Sequence, residues 1–111
     1  MRLSAAVLAC ALASCAYVEA TKVEYVGVPR FPPEDPAKVQ VLRAEPAQRH
    51  HRLGEVMLQI SLEPAPPLDE IERRLREETA KMGGQAIYIV RDAARPNEDR
   101  RMIGIAIRYL Q

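Results

Sequence analysis

Tryptophan is absent from this sequence, phenylalanine occurs once, and histidine occurs only as the adjacent pair His50-His51. Serine is confined to Ser4, Ser14 and Ser61. Each scarcity excludes a kind of chemistry. A nucleophile needs a base and an orienting group within reach. Ser61 has no base near it in sequence, and Thr21 and Thr79 are no better placed. Paired carboxylates must face each other across a cleft, whereas Glu77 and Glu78 fall in a charged run of helical spacing and Asp92 in a polar stretch. Gly83-Gly84 follows a helical segment rather than opening one, so it is no phosphate cradle. No enzymatic activity is expected.

An excess of either charge is also missing: 16 basic residues face 15 acidic ones. Nucleic-acid binders carry a clustered basic surplus, so that class is excluded. Long apolar runs are lacking too. A membrane-spanning helix needs about 20 apolar residues; Leu3 to Val18 falls short and is interrupted by Ser4 and Ser14. A core helix would show a polar face at helical spacing, and Leu3 to Leu12 shows none. What fits is a secretory leader: a positive start (Met1-Arg2), an apolar stretch, then small residues before a cut. The run "LASC", Leu12 to Cys15, resembles the lipobox of bacterial lipoproteins. That resemblance implies cleavage before Cys15, a diacylglycerol on its thiol and an acylated new amine. The alternative is an ordinary leader cut elsewhere. On the lipobox reading residues 1–14 are the signal peptide. Their removal takes Arg2 and Cys10 with it, leaving basic and acidic residues balanced. With Cys15 acylated no thiol is left for a disulfide, and the domain depends on its core or on oligomerisation.

Residues 15–37 read as a tether, since Pro29, Pro32, Pro33 and Pro36 favour extended chain. Within it, Thr21 to Val28 alternates and could form an edge strand. The globular part is expected over 38–111. "KVQVL" reads as a strand with Val39 and Val41 on one face. "LGEVMLQISL" reads as a second, with Val56, Leu58, Ile60 and Leu62 turned one way and Met57, Gln59 and Ser61 the other. Pro67 suits the first turn of a helix. Leu68, Ile71, Leu75 and Met82 then form an apolar stripe beside Ala80. Acidic residues in the first turns and Lys81 in the last suit the macrodipole. Glu70–Arg74, Glu72–Arg76 and Glu77–Lys81 have i,i+4 spacing, and Gly83 fits a left-handed cap. "QAIYIVR" is apolar on both faces, hence central. "DAARPNEDR" reads as a loop, and "RMIGIAIRYL" as a last strand aligning Ile103, Ile105, Ile107 and Tyr109. The expected architecture is α+β: one helix on a four-stranded, mainly antiparallel sheet in the order β-β-α-β-β, with Leu75 near Ile87 and Ile105.

Three stretches, "PPEDPAKVQVL", "RHHRLGEV" and "MGGQAIYIVRD", are similar to parts of a family of small bacterial envelope lipoproteins, mostly of unassigned function. The layout also resembles the surface-stress sensor lipoproteins of the Rcs pathway, which rely on disulfides that this chain has no cysteines to form. The resemblance implies a non-enzymatic, lipid-anchored envelope protein acting through protein contacts in envelope maintenance or stress sensing. In enteric bacteria an aspartate after the lipidated cysteine retains the protein in the inner membrane. Here Ala16 follows Cys15, which implies the outer membrane, facing the periplasm, with the inner membrane as the alternative. The competing functional reading is a metal- or small-ligand-binding lipoprotein. His50, His51 and Glu55 form the cluster whose donors suit zinc or copper. However, a structural zinc site needs four ligands, and adjacent histidines in a strand would point to opposite faces, although "AEPAQRHHR" reads as a loop, which could bring them together. No metal and no cofactor is expected, and the partners are the membrane, through the N-terminal lipid, and an envelope protein the sequence does not name.

Overall fold

The computed structural model describes residues 15–111; the leader expected at residues 1–14 lies outside the described residues. The strands are β1 (Val18–Glu24), β2 (Gln40–Leu42), β3 (His50–Ile60), β4 (Ala86–Ala94) and β5 (Arg100–Tyr109), and helix α1 spans Leu68–Lys81 between β3 and β4. They form one sheet of order β1-β3-β5-β4-β2. The three pairings β1–β3, β3–β5 and β5–β4 are antiparallel, and β4–β2 is parallel. Since β5 is antiparallel to both its neighbours, β3 and β4 run the same way. The unit β3-α1-β4 is therefore a split crossover with β5 inserted between its strands. Among the described residues the chain is α+β with one α-helix, and its sheet is mixed and five-stranded rather than four-stranded.

The additional strand is β1, in the segment expected to be tether; it lies at a sheet edge, as the alternation from Thr21 allows, but it starts earlier, at Val18, and ends at Glu24. Its pairing runs without interruption from Val18 opposite Ile60 to Glu24 opposite Gly54. Nothing in its own composition demands this; the open edge of β3 supplies a row of backbone partners. The following proline-rich segment is also folded down. Glu34 N donates to Ala80 O at 2.9 Å, and Phe31 packs against the main core. Gly83, at φ +78°, has the left-handed cap conformation expected of it. A Cβ there would stand 2.6 Å from Phe31 Cβ, so the close approach requires glycine as well.

Helix α1 begins at the Pro67 carbonyl, which accepts from Glu70 and Ile71. Asp69 and Glu70 lie in its first turn and Lys81 in its last, the arrangement that suits its dipole. Ile71, Leu75 and Ala80 are buried, joined by Glu78 and Thr79. Leu68 departs from the expected stripe: it is 54 % exposed. Of the three expected pairs, Arg76–Glu72 forms at 3.5 Å. Glu77 instead meets Arg73 and Arg74, and Glu78 meets Arg74 and Lys81.

Val56, Leu58 and Ile60 of β3 enter the helix-side core with Leu75, Ile87 and Met102, as their alternation predicts for β3. The β5 assignment needs correction. Ile105 and Ile107 belong to a separate cluster with Ala86 and Tyr88 on the opposite face, while Met102 and Ala106 meet the helix side. The reason is space. A Cβ on Gly104 would come within 2.6 Å of Ile87 Cδ1, so the helix-facing side of β5 requires its smaller residues. Strand β4 also runs further than expected, taking in Asp92 to Ala94 before a short turn. That turn closes with Arg95 N donating to Asp99 O at 2.7 Å, around Asn97 at φ 61°, a conformation asparagine tolerates better than most residues.

Candidate functional site

The face of the sheet away from α1 carries a polar cluster centred on Glu45. Residues 43–49 leave β2 and pass over this face to reach β3. Glu45 Oε2 accepts from Arg52 Nη2 at 2.7 Å, His50 Nε2 at 2.9 Å and Tyr88 Oη at 3.3 Å. The Arg52 guanidinium, then His50, hold the Glu45 carboxyl below the usual carboxylate range. The guanidinium's own pKa is raised, first by its bond to Glu45. Burial first, and the Glu55 carboxylate second, push up the Tyr25 phenol, which donates to Glu55 Oε2 at 3.0 Å. Burial likewise raises Tyr88. Both phenols are donors in this cluster, and neither is poised as a base at neutral pH. Ile107, fully buried on this face, lies under the same covering.

The expected metal candidates are not gathered. His50 pairs with Tyr109 and His51 with Arg108 in the β3–β5 ladder, so the rings leave opposite faces. His50 has Gln48 O at 2.6 Å from Nδ1 and Glu45 at Nε2. The His51 ring lies 5.8 Å from Phe31 on the helix side. There Arg108 stacks 4.7 Å above Phe31 and donates to Gly83 O at 3.0 Å and Glu34 at 3.3 Å. Glu55 is engaged by Tyr25. Among the described residues no group of three or more histidine, cysteine, aspartate or glutamate side chains could hold a metal ion. The hub that sequence reasoning missed is Glu45. Its partners lie up to 43 residues away in sequence, and no local spacing announces it.

Ser61, Glu77, Glu78 and Asp92 are likewise not assembled into a catalytic set. Ser61 Oγ donates to Pro64 O at 2.7 Å and accepts from Tyr17 N at 2.9 Å. Asp92 holds Arg100 through two bonds of 2.7 Å. A narrow recess of about 150 Å³ lies between Tyr25, Phe31, Leu53, Lys81 and Met82, below the usual small-molecule range of about 300–1,000 Å³, whereas a wider, open depression of about 810 Å³ lies over the Glu45 cluster, lined by Tyr25, Glu45, His50, Arg52 and Leu110.

The ion pairs predict an acid response. Arg100 lowers the Asp92 pKa, Arg95 lowers that of Asp99, and Arg52 that of Glu45. A depressed carboxylate contributes stability above its unfolded pKa and loses it as pH falls through the folded value. Stability should therefore be level above about pH 5 and fall below about pH 4. Asp92→Asn should flatten part of that decline, as measured by urea unfolding across pH.

No known protein family matches the chain, and no curated protein is detectably similar in sequence. Among solved structures, the chain is similar to the crystal structure of the Francisella virulence factor FvfA, with a TM-score of 0.61 at 14 % identity. The likeness covers 81 % of this chain and 97 % of the other. At that identity the two chains share a fold.

Proposed function

We propose that this chain is a lipid-anchored envelope protein that acts by protein contacts in envelope maintenance or stress sensing, without enzymatic activity. The observation that carries the reading is "LASC" closing a leader-like opening, with Cys15 the acylated residue. Cys15 is exposed and stands three residues before β1. Among the described residues no helix is long and apolar enough to cross a membrane, so residence at a membrane is assigned to the lipid. Two acyl chains anchor a protein stably, each buried CH₂ contributing about 0.8 kcal/mol. The face of the sheet away from the helix supports contact over catalysis: Val23 and Met57 are exposed there, beside Ile105. Ala16 after Cys15 favours the outer membrane with the domain in the periplasm. The metal-binding alternative draws no support from His50 and His51, which are turned to opposite faces.

Cys15→Ser, expressed in a bacterium that processes lipoproteins, should leave the precursor uncut or shift the mature protein out of the membrane fraction. Wild type and variant of the same processed size and the same membrane distribution would refute the anchor.

A further inference from the structure

From the geometry around Cys15 we infer that one end of the sheet, bearing the Ser61–Pro67 loop and the Arg95–Asp99 turn, rests on the lipid surface while the Glu45 cluster points away from it. This rests on the anchoring reading above. An anchor on a long tether would leave orientation open. Here the slack is very small. Tyr17 N donates to Ser61 Oγ at 2.9 Å, and Ser61 N returns a bond to Tyr17 O at 3.1 Å. Ser61 Oγ is in turn fixed to Pro64 O. Only Ala16 separates Cys15 from this lock. Three residues of extended chain reach about 10 Å, so the start of β1 stays within that distance of the acylated residue.

The sheet register says what else is at that end. Val18 lies opposite Ile60, Ile60 opposite Arg100, and Arg100 opposite Ala94. The loop after β3, the turn between β4 and β5, and the start of α1 therefore share it. Strand β3 has 11 residues, and at about 3.3 Å per residue it carries His50 roughly 35 Å away. The near end also exposes apolar surface. Tyr17 is 41 % exposed, and Leu68, the one member of the helix stripe left out of the core, is 54 % exposed. A tyrosine suits a boundary where its ring meets apolar surface and its hydroxyl meets water. The charges there are net acidic: Arg95 pairs with Glu98 at 2.9 Å and with Asp99 at 2.8 Å, and Glu63 and Asp69 add acid. The partner is thus the lipid boundary itself, met through the covalent tether and apolar side chains. A basic patch for anionic headgroups plays no part.

The test uses the full chain, processed and acylated in bacteria and reconstituted into vesicles of phosphatidylethanolamine with or without phosphatidylglycerol. Maturation removes Cys10 and acylation consumes Cys15, so Glu63→Cys and Gln48→Cys each present one thiol for a fluorophore. A nitroxide on the lipid headgroup serves as the quencher. The label at position 63 should be quenched several-fold more than the label at 48, and the ratio should not rise when the anionic lipid is added. Equal quenching, stronger quenching at 48, or a ratio that rises with phosphatidylglycerol, in protein that floats with the vesicles, would overturn the orientation and leave the anchor standing. Protein that does not float would overturn both.

Discussion

Replacing Leu75 by alanine should destabilise the fold by about 2–5 kcal/mol, the range for a large aliphatic side chain removed from a packed core. Leu75 is 1 % exposed and packs with Ile71, Ile87 and Met102 where α1 meets the sheet. Arg73→Ala is the proper comparison, because Arg73 is exposed and holds only Glu77 at the surface; a surface pair of this kind is worth about 0.3–0.5 kcal/mol. Arg74 would be a poorer control, since its guanidinium reaches the buried Glu78 carboxylate. Urea unfolding of the two variants should separate them clearly, and equal midpoints would remove the helix-on-sheet account of the core.

Gly54→Ala should cost about 1–3 kcal/mol by overpacking, with the damage concentrated in β1. The added Cβ would collide with the Val23 carbonyl and stand 2.9 Å from Met82 Sδ. The Val23 carbonyl, backbone of the edge strand, cannot yield at low cost, whereas the Met82 side chain is flexible and can give way. Gly54 also follows a register shift in the β3–β5 ladder, a usual place for glycine in a strand. Hydrogen exchange should show amides of Val18–Glu24 losing protection in this variant before those of β3 and β5. Uniform loss across the sheet, or none, would contradict the close packing of β1 against Gly54.

These two sites differ in how far the sequence announced them. Leu75 lies on a stripe whose period, capping glycine and terminal charges all agree, and such consistency makes a helix legible. The inward alternation of Val56, Leu58 and Ile60 was equally plain. Strand β1 was harder to recognise, because its pattern is short and what fixes it is the unpaired edge of β3, a tertiary fact. Strand β5 was misleading for another reason. It alternates Ile103, Ile105 and Ile107 with Met102, Gly104 and Ala106, so both faces are apolar and size suggested the isoleucines for the helix side. Close packing selected the smaller set. Glu45 was invisible in sequence, since a loop carboxylate acquires meaning only when the fold carries it to Tyr88 and Arg52. The histidine pair is only partly legible: "AEPAQRHHR" reads as a loop that could bring the two rings together, but β3 begins at His50, earlier than expected, and its ladder turns the rings to opposite faces.

Anchoring through Cys15 is the claim on which function, localisation and orientation all depend. Intact-mass analysis of the wild-type protein extracted from bacterial membranes, with fragmentation of its N-terminal peptide, tests it most directly. The account predicts a mature chain that begins at Cys15, with a diacylglyceryl thioether and an acylated amine on that residue. A mature chain that begins elsewhere, or that begins at Cys15 without added lipid, would contradict it.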